Sequence, residues 1–128
     1  MNGATALMSA AEKGHKSTVL VLLTAGASVD SVDKRRKTAL MWAAEKGHHG
    51  VVEELLKAGT PVNATTSIDR DMNGATALMS AAEKGHKSTV LVLLTAGASV
   101  DSVDKRRKTA LMWAAEKGHH GVVEELLK

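Results

Sequence analysis

Residues 1 to 57 of this chain recur letter for letter as residues 72 to 128, an offset of 71. Every local interaction in the first stretch therefore has a copy in the second, and only residues 58 to 71 are written once. A shorter period lies inside each copy. Thr5-Ala-Leu-Met-Ser-Ala-Ala-Glu-Lys-Gly-His15 returns as Thr38-Ala-Leu-Met-Trp-Ala-Ala-Glu-Lys-Gly-His48, 33 residues on. The next return, at Thr76, comes after 38 residues and the last, at Thr109, after 33, so the unique segment carries a five-residue insertion. A period near 33 predicts supersecondary units that cannot bury their own apolar side and so stack on their neighbours.

Each unit reads as a pair of helices. Thr5 is placed to cap a helix over Ala6 to Lys13, and Gly14 can take the positive φ that ends it. Ser17 is expected to cap a second helix with Val19, Leu20, Leu22 and Leu23 facing inward and Gly26 as its stop. In the next unit Val51, Val52, Leu55 and Leu56 hold the same face, while Glu53 and Glu54 turn to water. Hydrophobic residues make up 44% of the chain, yet there is no Phe or Tyr and there are two Trp. Such a core is built from Ala, Leu, Val and Met, which suits closely packed helices better than sheets. Trp42 and Trp113 stand where the alternate units have Ser9 and Ser80, and are expected to fill core space.

The pattern Thr-Ala-Leu-Met-x-Ala-Ala-Glu-Lys-Gly-His, then Val-Val-x-x-Leu-Leu-x-x-Gly-x-x-Val-Asn, resembles the ankyrin repeat over nearly the whole chain. The resemblance implies an all-α solenoid of four stacked helix-turn-helix units joined by β-hairpin finger loops. One domain would span 1–128, with units at about 1–33, 34–64, 71–104 and 105–128 and an extended inserted loop at 60–75. It also implies a non-catalytic protein-binding scaffold that uses its finger tips and the concave face of the first helices. Carried over position by position, binding falls to Lys34, Arg35, Lys37, Glu45 and Lys46, and to Lys105, Arg106, Lys108, Glu116 and Lys117. Glu12, Lys13, Glu83 and Lys84 join them on the helices. The chain departs from the pattern at Ala6 and Ala39, which replace Pro, and at Met8 and Met41, which replace His. Arg36 and Arg107 occupy a finger position that normally holds Gly, so a residue with a Cβ is expected to adopt a glycine-like conformation.

A net charge of +3 conceals two basic runs, 34 to 37 and 105 to 108, which suit an acidic protein partner. No aromatic residue accompanies them for stacking on bases, so nucleic acid is not the expected ligand. Cysteine is absent, which removes thiolate chemistry and is compatible with the cytosol without specifying a location. The longest apolar run, Val19 to Leu23, is far shorter than the ~20 residues of a spanning helix, and the first residues carry no secretory pattern. No nucleophile pairs with a base, and no glycine-rich loop precedes a helix to hold phosphate, so an enzyme is not expected.

Six histidines invite a metal reading, but His15, His48, His86 and His119 fall at the Gly-His turn, a structural place in the repeat. The unique segment offers an alternative function. Asp69-Arg70-Asp71-Met72-Asn73-Gly74 resembles the opening of a calcium loop, in which alternate oxygens converge on the ion. Asp69, Asp71 and Asn73 would be ligands, with oxygens from Thr65, Thr66 and Ser67. The closing position is Ser80, so Asp33 or Asp104 of a neighbouring finger would have to complete the shell. The competing reading is an ordinary finger whose carboxylates pair with the basic runs. No cofactor is required by either scaffold reading; calcium belongs only to the alternative.

Identity of the two copies extends to exposed positions, which divergence does not usually spare, so the duplication reads as recent or engineered. It has a physical consequence. The fourth unit repeats the second and the first repeats the third, so the two terminal faces are complementary and head-to-tail self-association is encoded.

Overall fold

Thr5, Thr38, Thr76 and Thr109 each begin a unit in the same way, with the hydroxyl oxygen accepting the N–H of Met8, Met41, Met79 and Met112 at 3.1–3.3 Å. These caps satisfy donors that the first helical turn leaves open. The computed structural model describes residues 5–68 and 73–128. Its helices are α1 (Ala6–Lys13), α2 (Lys16–Thr24), α3 (Ala39–Lys46), α4 (His49–Lys57), α5 (Ala77–Lys84), α6 (Lys87–Thr95), α7 (Ala110–Glu116) and α8 (His120–Leu127). Gly14, Gly47 and Gly85 end the first helices in the left-handed region, with φ of 76°, 77° and 78°. The paired bonds from Gly14 N–H to Ala11 and from His15 N–H to Ala10 are those of a Schellman stop.

The second helix of the first unit starts two residues earlier than the sequence suggests. Lys16 opens α2, its N-cap is His15, and that residue gives no side-chain cap, so Ser17 lies inside the helix rather than capping it. The Schellman turn of α1 sets that start, because the bond from Lys16 N–H to the Gly14 oxygen already turns the chain.

α1, α3, α5 and α7 pack one on the next in one layer, and α2, α4, α6 and α8 do so in a second. The core runs between the layers. Ala11, Ala43, Ala44, Ala81, Ala82 and Ala114 are fully buried, and these small residues let the first helices approach closely. Leu7, Leu40, Leu78, Val19, Val52 and Val90 fill the space between layers. Each buried leucine or valine stabilises the stack by roughly 1.5–3 kcal/mol. Leu20 departs from the expectation that it faces inward: it is 40% exposed, as is its copy Leu91. The run Val19-Leu20-Val21-Leu22-Leu23 is apolar at every position, so pattern alone did not choose the buried face. Glu54 is half-buried rather than free in water, 3.8 Å from Lys16 of the preceding unit.

The fingers are simpler than β-hairpins. Among the described residues the backbone forms one isolated antiparallel bridge, Ile68 to Asn73, and no extended strand. The finger before α3 is a tight turn in which Arg36 N–H donates to the Asp33 oxygen at 2.9 Å and Asp33 N–H donates to the Lys37 oxygen at 3.0 Å. Arg36 and Arg107 adopt φ of 62° and 63°, the conformation expected where glycine was replaced. No described helix is long and apolar enough to cross a membrane.

Candidate partner-binding surface

Asp33 organises the first basic finger. It is buried, and its Oδ1 accepts the N–H of Arg35 at 2.9 Å and of Lys37 at 3.0 Å. A carboxylate used in this way fixes a turn that ordinary loop residues would leave loose. Lys34, Arg35 and Arg36 then project into solvent, while Lys37 points back and is 9% exposed. Lys37 Nζ lies 2.7 Å from Glu45 Oε1 and 3.6 Å from the centre of the Trp42 ring. Of the four cations in the run, three therefore face solvent and the fourth holds the finger to α3.

The second finger repeats this. Asp104 Oδ1 accepts the N–H of Arg106 at 2.9 Å and of Lys108 at 3.0 Å. Lys108 bonds Glu116 and lies 3.8 Å over the Trp113 ring, with Lys117 at 6.0 Å from the same ring. Lys105, Arg106 and Arg107 are exposed at the tip. The sequence-assigned surface thus divides into outward tips and ion pairs at the finger base: Lys37 bonds Glu45 in a mostly buried pair, and Lys108 bonds Glu116 in a more exposed one.

On the first helices, Lys13, Lys46 and Lys84 are exposed, and Glu12, Glu45 and Glu83 are half-buried. Burial alone would raise the Glu45 carboxyl. The hydrogen bond and charge of Lys37, with the charges of Lys46 and Lys84, outweigh that and hold its pKa below the ordinary value.

The two tryptophans differ although their sequence surroundings are copies. Trp113 Nε1 donates to Asp104 Oδ2 at 2.9 Å. Trp42 Nε1 is equally shielded from water but has no acceptor among the described residues. Beside it a cleft of about 260 Å³ is lined by Asp33, Lys34, Arg35 and Trp42. Both tryptophans contribute to the core as expected, Trp113 as a buried member and Trp42 half-buried against it, and both also border the finger base.

The end of the unique segment and the start of the second copy together form a third finger between the basic two. Thr66 N–H donates to the Ala75 oxygen at 3.0 Å, and Gly74 N–H to the Ser67 oxygen at 3.0 Å. Thr66 Oγ1 accepts the Ala75 N–H at 3.1 Å. On one side Ser67 N–H reaches the Arg35 oxygen at 2.9 Å; on the other, Lys105 N–H reaches the Asn73 oxygen at 2.8 Å. The insertion ties both basic fingers into one row. Nothing in the spacing of the sequence announced these two bonds.

Asp69 and Asp71, the central residues of the calcium reading, lie outside the described residues. Asp33 and Asp104, named as closing ligands, each spend one oxygen on two backbone N–H groups of their own finger. The second oxygen of Asp104 accepts the Trp113 Nε1–H, whereas the turn of the first finger uses only Oδ1 of Asp33. Among the described residues no group of three or more His, Asp or Glu side chains could hold a metal.

The histidines form a ladder along the stack. His48 Nε2 lies 3.0 Å from the Glu12 oxygen, His86 Nε2 2.9 Å from that of Glu45, and His119 Nε2 2.9 Å from that of Glu83. Each ring sits over a glycine of the preceding unit: a Cβ on Gly14, Gly47 or Gly85 would come within 2.7, 2.6 or 2.6 Å of it. The Gly-His pair therefore serves two units at once. Glycine permits the turn of its own unit and leaves room for the histidine of the next.

No curated protein matches the chain. A family model described as ankyrin repeats (3 copies) matches residues 1–66 and again residues 63–128. With the capped helix pairs, the two-layer stack and the finger row, that match shows that the chain belongs to the ankyrin repeat family.

Proposed function

We propose that the chain is a non-catalytic scaffold that binds an acidic segment of a partner protein along its row of fingers. Ankyrin repeats generally mediate protein–protein interaction rather than catalysis, which supports the coarse assignment. One observation supports the finer one: buried Asp33 and Asp104 hold turns that present two sets of exposed cations, Lys34, Arg35, Arg36 and Arg106, Arg107, along the row of fingers. Donors already fixed in place lose less freedom on binding than flexible ones. Letter-for-letter repetition of 57 residues accords with an engineered tandem, which would present one basic finger twice to a partner with two acidic stretches.

Mapping amide shifts on addition of a ten-residue glutamate peptide tests the location. Residues 34–36 and 105–107 should move while the exposed side of α2 and α6 stays still. Shifts confined to the α2 and α6 side would contradict the assignment.

A further inference from the structure

We propose that the cleft at the base of the first basic finger binds a primary carboxamide, the side chain of an asparagine or glutamine in a bound protein segment. This goes beyond the acidic-partner reading and asks nothing of the exposed finger charges. Its basis is a comparison between two fingers of the same sequence. In the second finger Asp104 divides its oxygens: Oδ1 accepts the Arg106 and Lys108 N–H groups, and Oδ2 accepts the indole N–H of Trp113 at 2.9 Å. Turn and tryptophan satisfy each other.

In the first finger both halves of that last bond are left unmade. Asp33 Oδ1 accepts the N–H groups of Arg35 and Lys37, but Oδ2 takes no hydrogen among the described residues. Trp42 Nε1 is shielded from water and has no acceptor there either. A shielded donor left unpaired is costly, and a group that pairs it recovers that cost. Asp33 and Trp42 both line the cleft of about 260 Å³, with Lys34 and Arg35 beside them. Lys37 stands apart, because its Nζ is bonded to Glu45 and lies 3.6 Å from the centre of the Trp42 ring.

The ligand chemistry follows from one unpaired donor beside one unpaired acceptor. A carboxylate takes the indole hydrogen but brings a like charge to Asp33 and has no hydrogen for Oδ2. An ammonium group donates to Asp33 but accepts nothing from Trp42. A hydroxyl has both functions on a single atom, with little bulk for a cleft of this size. A primary carboxamide separates them: its oxygen accepts from Trp42 Nε1 and its NH2 donates to Asp33 Oδ2. Its plane packs against the half-buried ring, which shifts until the N–H meets the amide oxygen. The volume, about 260 Å³, is below the ~300–1,000 Å³ of a typical small-molecule pocket and suits one side chain of a partner. Trp113 is 8% exposed and its N–H is already taken, so the finger sequence written twice offers one such site among the described residues.

The two indole N–H resonances of the isotope-labelled full chain test this, the one lost in Trp42→Phe being that of Trp42. The neutral peptide acetyl-Ala-Ala-Gln-Ala-Ala-N-methylamide, whose blocked ends carry no primary amide, should move the Trp42 resonance and the backbone amides of Lys34 and Arg35. The Trp113 resonance should stay in place. Dimethylating the glutamine side-chain nitrogen keeps the acceptor and removes the donor, and should weaken binding by at least about tenfold, as should glutamate or serine at the central position. Trp42→Phe keeps a ring without the N–H and should weaken the glutamine peptide by a similar factor, read from the Lys34 and Arg35 amides. The glutamine peptide and its dimethyl form are both neutral and are compared on the unaltered chain, so the result stands whether or not the fingers bind acidic segments. Equal affinity for those two peptides, a Trp113 resonance that moves together with that of Trp42, or no shift with the glutamine peptide overturns the proposal.

Discussion

His86 places Nε2 2.9 Å from the carbonyl oxygen of Glu45, joining the third unit to the second through one side chain. His15 has the same neighbours in sequence but is exposed. The pair forms an internal control for what the ladder contributes. His86→Ala should lower stability by about 1–2 kcal/mol through the lost bond and the lost packing over Gly47. His15→Ala in the single chain, at low concentration, should change it by less than about 0.5 kcal/mol. Urea unfolding of both variants makes the comparison; equal losses would mean that the tether contributes nothing.

The glycines under the ladder should divide in the same way. Gly47 combines a φ of 77° with a histidine ring 2.6 Å from the site of a Cβ, whereas Gly118 has a φ of 76° and open space. Gly118→Ala should cost about 1–2 kcal/mol, the left-handed penalty alone. Gly47→Ala should cost about 1 kcal/mol more, because the ring must leave its carbonyl. Melting temperatures of the two variants read this directly.

Arg36 and Arg107 hold φ of 62° and 63° without the freedom of glycine. The left-handed penalty of about 1–2 kcal/mol exceeds the extra unfolded-state entropy of glycine, about 0.5–1 kcal/mol. Arg36→Gly should therefore raise stability by roughly 0.5–1 kcal/mol while removing one cation from the finger. A stability gain with weaker binding of an acidic peptide would separate the backbone role of this position from its charge.

Glu45 gives the fold a defined acid response. Its carboxylate is favoured in the folded chain, chiefly by Lys37, so its pKa there is depressed. That contribution is complete above the unfolded value of about 4.3 and is lost as pH falls through the lower folded value. Melting temperature followed from pH 7 downward should drop in that acid window, and Glu45→Gln should flatten part of the drop. A variant curve parallel to the wild type would show that the Lys37 pair does not carry it.

The helix pairs were legible because Thr, Gly and the 33-residue period act locally and repeat. The glycine-like conformation of Arg36 was legible for a related reason, since one position departs from a pattern that requires a backbone conformation. Leu20 was misplaced because an unbroken apolar run contains no period to read. The inward turn of Lys37 was hidden by its membership of a basic run. Only the bond its Nζ donates to Glu45 and its place over the Trp42 ring separate it from Lys34 and Arg35. The differing partners of Trp42 and Trp113 lie furthest from the sequence, since identical words stand in unlike surroundings.

The finger row as an acidic-partner surface is tested most directly by titrating a labelled ten-residue glutamate peptide into wild type and into the Lys34→Glu, Arg35→Glu, Arg106→Glu and Arg107→Glu variant. The measurement should be made at low and at high salt. The account predicts binding that weakens by at least about tenfold in the variant and falls with ionic strength, because exposed charges are screened over about 10 Å at 0.1 M salt. Equal affinity in the two proteins, or affinity indifferent to salt, would contradict it.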